Sequence, residues 1–245
     1  MATGVVAKNL NACSLQWPPL TRGRLIRRYQ RFLADVHLDD GRIVTAHCPN
    51  SGRMTGCNEP QRRVFVSYHD NPRRKLKFTW ELIEMPTSLV GVNTLVPNRL
   101  VAKTLRHGCI PEFRGYSEVK TEVAVNARSR LDLRLSETNL PLCFIEVKNC
   151  TLVENGQALF PDAPTARGQK HLKDLVRLHR AGARSVMFYV IQRTDAEHFA
   201  PADHIDPEYG RFLRHAAAQG VEILAYDVII DPAQVALHHP LPVRL

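Results

Sequence analysis

Apolar and polar residues alternate with a period of two along much of the first 85 residues, which is the spacing of half-buried β-strands. Every second residue from 32 to 38 is apolar, and the Asp-Asp-Gly turn at 39–41 leads into a further apolar segment, as in a β-hairpin. The same alternation recurs at residues 64–68 and 76–82. Four or five short strands with little helical pattern between them predict a small β-barrel of the OB type.

Beyond residue 85, segments with apolar residues at helical spacing take turns with segments typical of strands. Three predicted helices end at Gly108, Gly182 and Gly220, and the last two begin at the capping residues Thr165 and Asp206. Apolar runs outside the helices predict strands at residues 117–127, 130–136, 143–149, 185–192 and 221–226. This order predicts an α/β domain with a mixed sheet.

The two predicted domains, residues 1–85 and residues 86–245, differ in charge. The chain has a formal net charge of +9, and residues 1–85 hold 14 Lys and Arg against 7 Asp and Glu, whereas residues 86–245 hold 19 against 17. An excess of positive charge on a barrel favours a polyanionic partner such as DNA. The residues predicted to bind nucleic acid are Arg27, Arg28, Tyr29, Arg31, Arg73, Arg74, Lys75 and Lys77.

Aromatic residues lie among these cations, at Phe65, Tyr68 and Trp80. Rings that stack on bases beside cations that contact phosphates are what a single-strand binding groove requires. The alternative is that the rings fill the barrel core and the arginines cover a solvated face. We expect that alternative for any single residue, and nucleic-acid binding for the surface as a whole.

The six cysteines are scattered, without the spacing or the companion histidines of a zinc site, and we expect free thiols in a reducing cytosol. Residues 1–17 lack the basic start and apolar run of a signal peptide, and the longest apolar run, residues 186–191, is too short to span a membrane. We therefore expect a cytoplasmic protein without a membrane partner.

Three charged residues, Asp132, Glu146 and Lys148, lie in two otherwise apolar strands. Side chains two apart on a strand share a face, so Glu146 and Lys148 project together. The hairpin-like loop at 136–141 can bring Asp132 alongside Glu146, and two converging carboxylates repel each other unless a cation separates them. Mg²⁺ or Mn²⁺ prefers such oxygen ligands, and Lys148 could assist an attacking water, as in a metal-dependent phosphodiesterase.

Nearby residues could complete such a centre. Glu122, one strand earlier, could add a metal-binding carboxylate, and Gln169 and Lys170 lie in the first turns of the following predicted helix. These are the supports expected of a nuclease of the PD-(D/E)xK type. Taken alone, however, an Asp followed by Glu-x-Lys is common, and an exposed ion pair on a strand is the alternative interpretation.

The segment HCPNSG at residues 47–52 allows two interpretations. Its backbone N–H groups could face a phosphate, or Pro-Asn-Ser-Gly could form a tight turn, which we favour. His47 and His171 are candidate ligands or acid–base groups by location alone. His238 and His239 are expected to lie in a solvated segment near the C-terminus rather than in a metal site.

Four segments together resemble the bacterial sugar fermentation stimulation protein A family: HCPNSGRMTGC at 47–57, SRLDL at 129–133, FIEVKN at 144–149 and FPDAPTARGQKHL at 160–172. The resemblance implies an OB-like N-terminal domain, a PD-(D/E)xK nuclease-like C-terminal domain, DNA binding and a link to the regulation of maltose and other sugar genes. By motif it assigns the nuclease-core and supporting positions to Asp132, Glu146, Lys148, Glu122, Gln169 and Lys170.

Two classes of function follow. The first is an Mg²⁺-dependent nuclease whose basic barrel holds DNA while its carboxylates bind the metal. The second is a DNA-binding regulator whose nuclease-like centre is idle or serves only to hold the DNA backbone. All the charged residues are present, but their presence does not show turnover. Single-stranded versus double-stranded DNA and the oligomeric state stay open.

Overall fold

The structure, a computed structural model, describes residues 10–127 and 129–245, apart from the side chains of Leu10 and Asn11. Residues 1–9, on which part of the signal-peptide prediction rests, lie outside the described residues. A short helix α1 (Leu10–Cys13) and a strand β1 (Ser14–Gln16) come first. The next six strands are β2 (Leu20–Tyr29), β3 (Leu33–Leu38), β4 (Ile43–His47), β5 (Arg63–Tyr68), β6 (Phe78–Glu84) and β7 (Leu89–Gly91).

Strands β2 to β6 close into a five-stranded barrel. Antiparallel pairing runs from β4 through β3, β2 and β5 to β6, and a parallel contact between β4 and β6 at Ala46 and Phe78 completes the ring. The barrel interior holds an apolar cluster that includes the fully buried Leu25 and Trp80. The predicted OB barrel is confirmed, because most of the alternating apolar residues, such as Val36, Val64 and Val66, lie in this core.

Strand β2 lies close to β3 at Gly23. A Cβ atom at this position would lie 2.6 Å from the carbonyl oxygen of His37 and 2.8 Å from Cγ1 of Val36. Because β2 pairs here with both β3 and β5, there is no room for a side chain, and glycine permits the close approach.

The second part of the chain contains three longer helices, one 3₁₀ turn and nine strands among the described residues. In chain order these are α2 (Leu95–Arg106), the 3₁₀ turn (Pro111–Phe113), β8 (Glu118–Asn126), β9 (Ser129–Glu137), β10 (Leu140–Cys150), β11 (Leu152–Glu154), β12 (Gln157–Phe160), α3 (Ala166–Arg180), β13 (Arg184–Ile191), β14 (His198–Pro201), α4 (Pro207–Ala218), β15 (Glu222–Ile230) and β16 (Gln234–Pro240).

A seven-stranded mixed sheet forms the centre of this domain, in the order β1-β16-β15-β13-β10-β9-β8, and β11, β12 and β14 form a small separate sheet. Strands β10, β13 and β15 are parallel, since α3 and α4 connect them. Apolar residues of α2 pack with Ile145 and Val147 on one face, and those of α3 and α4 pack with Met187 and Tyr189 on the other. The predicted α/β domain with a mixed sheet is therefore confirmed.

The predicted starts of α3 and α4 are confirmed by their capping contacts. Oγ1 of Thr165 accepts a hydrogen bond from the backbone N–H of Gly168 at 3.0 Å, and Oδ1 of Asp206 accepts one from the N–H of Tyr209 at 2.9 Å. Each contact satisfies an N–H group that has no partner inside its helix. The first residues of α3 and α4 are thus determined by capping contacts between residues close in the chain.

Two short strands pair across the predicted domain boundary at residue 85. The boundary itself stays a prediction. Strand β1, from the first part of the chain, pairs with β16 of the second domain, and β7, beyond residue 85, pairs with β6 of the barrel. Strands of three or four residues, such as β1, β7, β11, β12 and β14, are too short to show a period in the sequence.

The expectation of free thiols is wrong for Cys13 and Cys109, which form a disulfide with their Cα atoms 6.3 Å apart. The two residues are 96 positions apart in the chain, so their spacing in the sequence does not predict the disulfide. The remaining cysteines are free and buried, as expected: Cys48, Cys57, Cys143 and Cys150. Within residues 10–127 and 129–245, no helix combines the length and apolar character needed to cross a membrane.

Candidate metal and nucleic-acid site

Strands β9 and β10 place Asp132 and Glu146 beside each other. Ile145 of β10 pairs with Leu133 of β9 in an antiparallel register, and the next residues along that register are Glu146 and Asp132. Residues opposite each other in an antiparallel pair present their side chains to the same region. Both residues accordingly line one cleft.

Glu146 is almost completely buried and is surrounded by positive charge. Its Oε1 atom accepts a hydrogen bond from Nζ of Lys148 at 2.5 Å and contacts Nδ1 of His171. Burial alone would raise the pKa of Glu146, but the charge of Lys148 and the hydrogen bond of His171 hold that pKa below its ordinary value. Glu146 is therefore an anion at neutral pH.

Asp132 is held by hydrogen bonds at both carboxylate oxygens. Oδ1 accepts from Nδ2 of Asn98 at 2.7 Å, and Oδ2 accepts from the backbone N–H of Val147 at 2.8 Å. Burial and the negative charge of Glu146 raise the pKa of Asp132 from 3.8 to about 7. Two carboxylates that share a buried site without a cation behave in this way.

The second carboxylate oxygen of Glu146 is a candidate ligand for a cation. Oε2 is buried and has no hydrogen-bond partner among the described residues. A buried carboxylate oxygen without a partner costs free energy, which a bound cation would offset. Together with Asp132 it offers the hard oxygen ligands that Mg²⁺ and Mn²⁺ prefer, so the residues present fit a divalent cation.

Glu122, the third predicted metal ligand, lies on the outermost strand of the sheet. It is exposed and its φ is +55°. The pairs Thr121–Leu133 and Val123–Leu131 keep one register on either side of it, so it lies opposite Asp132, and the register shift of β8 and β9 falls between Ala124 and Asn126. Its negative charge contributes to the raised pKa of Asp132, after burial and Glu146. Glu122 does not line the cleft among the residues described, and its role as a metal ligand stays a prediction.

Gln169 and Lys170 were predicted to act at the catalytic centre. In the structure their side chains contact other residues. Nε2 of Gln169 donates to both carboxylate oxygens of Asp206 at 3.1 and 3.3 Å, so it joins α3 to the start of α4. Nζ of Lys170 lies 3.4 Å from Oδ2 of Asp174 on the same helix. Neither side chain lines the described cleft, and a catalytic role for either stays a prediction without geometric support.

The cleft around Asp132 and Glu146 has a volume of about 810 Å³ and lies between the barrel and the α/β domain. Residues from the two domains face each other across it, so neither domain forms the cleft alone. Its basic side chains are Arg28, Arg31, Arg53, Lys148 and Arg167. Positive side chains around a pair of carboxylates are the arrangement that attracts a phosphate backbone toward a metal site.

Residues 47–52 form the turn that their sequence favours. Oδ1 of Asn50 accepts a hydrogen bond from the N–H of Gly52 at 2.9 Å, as in an Asx turn. The guanidinium of Arg28 donates to the carbonyl oxygens of Asn50, Gly52 and Arg53 at 2.8, 2.9 and 3.2 Å. These contacts occupy the side chain that the sequence assigned to nucleic acid, so Arg28 holds the loop in place.

Asp162 fastens the same loop from the other side of the cleft. Its Oδ2 atom accepts a hydrogen bond from the backbone N–H of Met54 at 2.9 Å. A Cβ atom built on Gly52 would collide with this carboxylate, lying 2.6 Å from Oδ1. The carboxylate of the α/β domain and the loop of the barrel are therefore packed directly against each other.

Arg74 and Lys75 lie at a second cavity, of about 620 Å³, on another side of the barrel. Arg74 donates to Oγ1 of Thr79 at 2.7 Å. His47 lines the same cavity, and burial together with the charge of Arg74 lowers its pKa. Arg73 is exposed in the same loop, while Lys77 donates to a backbone carbonyl. The predicted basic residues thus divide between two cavities and the surface.

Phe65 and Trp80 are 5% and 0% exposed and belong to the apolar cores, as the alternative interpretation expected for any single ring. Tyr68, by contrast, is 51% exposed. Tyr29 is half-buried, donates to Asp35, and lies beneath the guanidinium of Arg27 at 4.7 Å. Tyr68 is therefore accessible for contact with bases, whereas the guanidinium of Arg27 covers one face of the Tyr29 ring.

Several residues that line the cleft were absent from the predicted site, among them Asn98, Asp162, Arg53 and Arg167. Asn98 is a half-buried polar residue one turn into the apolar helix α2. A polar residue within an apolar helical pattern can be recognised in the sequence. Asp162 and Arg167 stand in the segment FPDAPTARGQKHL, in which Thr165, Gln169 and Lys170 were given roles but these two residues were not. Arg53 gives no such signal, because it reaches the cleft only through the fold of its loop.

An OB barrel followed by a mixed α/β domain, with buried carboxylates in the cleft between them, defines the class of this protein. Comparison with known families narrows the class. Residues 26–92 match the family description "SfsA N-terminal OB domain", and residues 95–234 match "Sugar fermentation stimulation protein RE domain". The chain belongs to the sugar fermentation stimulation protein (SfsA) family.

Individual relatives extend over nearly the whole chain. A sugar fermentation stimulation protein homolog of Pelobacter propionicus is 53% identical over 231 residues, covering 94% of this chain and 100% of the relative. A homolog of Geobacter sulfurreducens is 53% identical over 225 residues, covering 92% and 96%. The structure of Pyrococcus furiosus SfsA in complex with Ca²⁺ is similar with a TM-score of 0.86 and 27% identity, covering 94% of this chain and 98% of that one.

Proposed function

We propose that this protein is a divalent-metal-dependent phosphodiesterase that cleaves DNA, with Mg²⁺ or Mn²⁺ as its cofactor. The observation that carries the proposal is the pair of buried carboxylates, Asp132 and Glu146, one of whose oxygens lacks a partner in a cleft lined with basic residues. The Pyrococcus relative was solved with Ca²⁺. Ca²⁺ and Mg²⁺ both take carboxylate oxygens, which supports a divalent-metal site here.

Asp132 and Glu146 would hold the ion, with Asn98 and the N–H of Val147 fixing the direction of the Asp132 carboxylate. A bound Mg²⁺ would supply Lewis-acid polarisation of the phosphate and a lowered pKa for an attacking water. Lys148 would orient that water and offset negative charge on the phosphate, since its ammonium lies at the cleft beside Glu146. His171 keeps Glu146 ionised.

Arg31, Arg53 and Arg167 would hold the DNA backbone along the cleft on either side of the carboxylates. All three are exposed and line the cleft. Exposed cations that contact phosphates release counterions and make binding depend on salt. The DNA substrate implies action in the cytoplasm, as the sequence predicts.

The alternative is a DNA-binding regulator, linked to maltose and other sugar genes, with an idle centre. One observation favours it: Nζ of Lys148 is engaged by Oε1 of Glu146 at 2.5 Å, while Gln169 contacts Asp206 and not the cleft. A centre that is neutralised internally can contact DNA without turning it over.

Cleavage assays would separate these functions. Purified protein is incubated with plasmid and with single-stranded DNA in Mg²⁺, Mn²⁺ or EDTA, beside the variants Glu146→Gln and Lys148→Ala. The exposed strand residue Lys120, changed to Ala, serves as the matched control. The enzyme proposal expects metal-dependent cleavage that both site variants abolish and Lys120→Ala retains. Cleavage that survives both site variants belongs to a contaminant and refutes it, and DNA binding without any cleavage supports the regulator.

A further inference from the structure

A β-bulge near the C-terminus brings two consecutive histidines to one aspartate. Val228 of β15 pairs with Leu237 of β16, but Tyr226 pairs with Pro240, so the register shifts by one residue between these pairs. Two residues of β16, His238 and His239, therefore oppose the single residue Asp227. In a regular strand the two histidines would point to opposite faces, whereas a bulge directs both toward the same neighbour.

The three side chains form a compact cluster. The backbone N–H of His239 donates to Oδ1 of Asp227 at 2.7 Å, and Nδ1 of His238 lies 3.4 Å from Oδ2 of Asp227. The two imidazole rings have their centroids 3.5 Å apart. One ligand atom from each of the three residues lies within 4.8 Å of the others, which is the span of a single bound ion.

Burial distinguishes Asp227 from an ordinary surface carboxylate. Asp227 is 8% exposed, whereas both histidines are exposed and accessible from solvent. Among the described residues, the side chain that contacts its carboxylate is the imidazole of His238, and no Lys or Arg forms an ion pair with it. A buried carboxylate is stabilised by a cation, and here the exposed imidazoles provide a route and two further ligands.

We propose that Asp227, His238 and His239 form a binding site for a transition-metal cation of the Zn²⁺ class. Two imidazole nitrogens with one carboxylate oxygen suit Zn²⁺, Co²⁺ or Ni²⁺, whereas Mg²⁺ and Ca²⁺ prefer oxygen ligands throughout. The bound ion would join β15 to β16 at the point where the bulge interrupts their pairing. The site does not include Asp132 or Glu146 and does not rest on the proposed nuclease function. The sequence favoured a solvated segment at His238 and His239, and the structure places both residues, exposed, on strand β16.

The test uses full-length protein without an affinity tag, in a Glu146→Gln background with Mg²⁺ present so that the acidic centre does not take up zinc. Zn²⁺ binding is measured by isothermal titration calorimetry, and thermal unfolding is followed with and without zinc. The double variant His238→Gln/His239→Gln removes both imidazoles from exposed positions. The matched control is His204→Gln/His215→Gln, two exposed histidines outside the cluster.

We expect the control to bind zinc like the parent and the double variant to lose affinity by about tenfold or more, since even indirect supports of a metal site are worth that much. At a zinc concentration a hundred times the parent's Kd, the parent and the control should unfold about 5 °C higher than without zinc, and the double variant should gain at most about half of that shift. Co²⁺ should give a ligand-field absorption spectrum that the double variant lacks. Equal zinc affinity and equal thermal shift in the double variant and the control would overturn the site.

Discussion

The side-chain amide of Asn98 donates a hydrogen bond to Oδ1 of Asp132 across 2.7 Å, so a residue of helix α2 orients a carboxylate of strand β9. The other carboxylate oxygen is held by the backbone of Val147 on β10. Three elements thus converge on one side chain. Partners of this kind fix the direction in which a ligand presents its oxygens, and their loss weakens metal sites that they do not themselves touch.

Replacing Asn98 with Ala is therefore expected to weaken Mn²⁺ binding by about tenfold or more while leaving the fold intact. The measurement is isothermal titration with Mn²⁺. Arg99→Ala, at an exposed position on the same helix, is the control for general effects on α2. If Asn98→Ala binds Mn²⁺ as tightly as Arg99→Ala, the orientation of Asp132 does not depend on the amide.

A second prediction concerns pH. Because the pKa of Asp132 rises from 3.8 in the unfolded chain to about 7 in the fold, the folded protein binds this proton more tightly. The resulting stabilisation is complete below about pH 3.8 and is lost as pH rises through 7. In the absence of metal, Asp132→Asn should gain stability relative to the parent between pH 4 and pH 8, by up to about 4 kcal/mol.

Urea unfolding of both proteins at several pH values measures this difference, and other titrating groups largely cancel in the comparison. Adding Mn²⁺ at pH 8 should stabilise the parent and leave Asp132→Asn nearly unchanged, since the amide is a poor ligand. A free-energy difference between the two proteins that does not vary with pH would show that Asp132 titrates normally.

How much the sequence predicts depends on how local the determining interactions are. The caps Thr165 and Asp206 and the hairpin between β3 and β4 are set by residues close in the chain, and they were predicted. Glu146 and Lys148 share a face because the strand repeat is two, which the sequence also shows. The carboxylate pair could thus be predicted from the residue pattern and its spacing.

The contacts that escaped prediction join residues far apart in the chain. Asn98 lies 34 residues from Asp132, and the N–H of Met54 lies 108 residues from Asp162. No periodicity reports such pairs, because the first depends on how α2 packs on the mixed sheet and the second on how the barrel docks on the α/β domain. The contacts of Arg28 with the loop at 50–53 likewise depend on how the barrel closes.

A third prediction separates two arginines that the sequence treats alike. Arg28 makes hydrogen bonds to three backbone carbonyls, so Arg28→Ala should lower the free energy of unfolding by about 2–3 kcal/mol. Arg31 is exposed on the cleft, so Arg31→Ala should leave stability within about 0.5 kcal/mol. It should also weaken DNA binding and reduce the slope of log affinity against log salt by about 1.

Urea unfolding and fluorescence-anisotropy titrations at several salt concentrations measure both effects on the same preparations. An Arg31→Ala protein with unchanged affinity and salt slope would remove this residue from the DNA-binding surface. A fully stable Arg28→Ala protein would contradict its structural role.

The last prediction tests the packing of Gly52 against Asp162. A Cβ atom at residue 52 would lie 2.6 Å from Oδ1 of Asp162, whose carboxylate is fixed by the N–H of Met54. The carboxylate cannot swing away without losing that hydrogen bond, so Gly52→Ala should be destabilising, unlike Ser51→Ala at the exposed neighbouring position.

In an Asp162→Ala background the collision disappears, and Gly52→Ala should then destabilise less. The double-mutant cycle, built from free energies of unfolding in urea, should give a coupling energy of about 1 kcal/mol or more between residues 52 and 162. Additive effects would mean that the loop of the barrel and the carboxylate of the α/β domain do not touch in solution. The cleft would then be wider than the structure shows, because these residues form part of its wall.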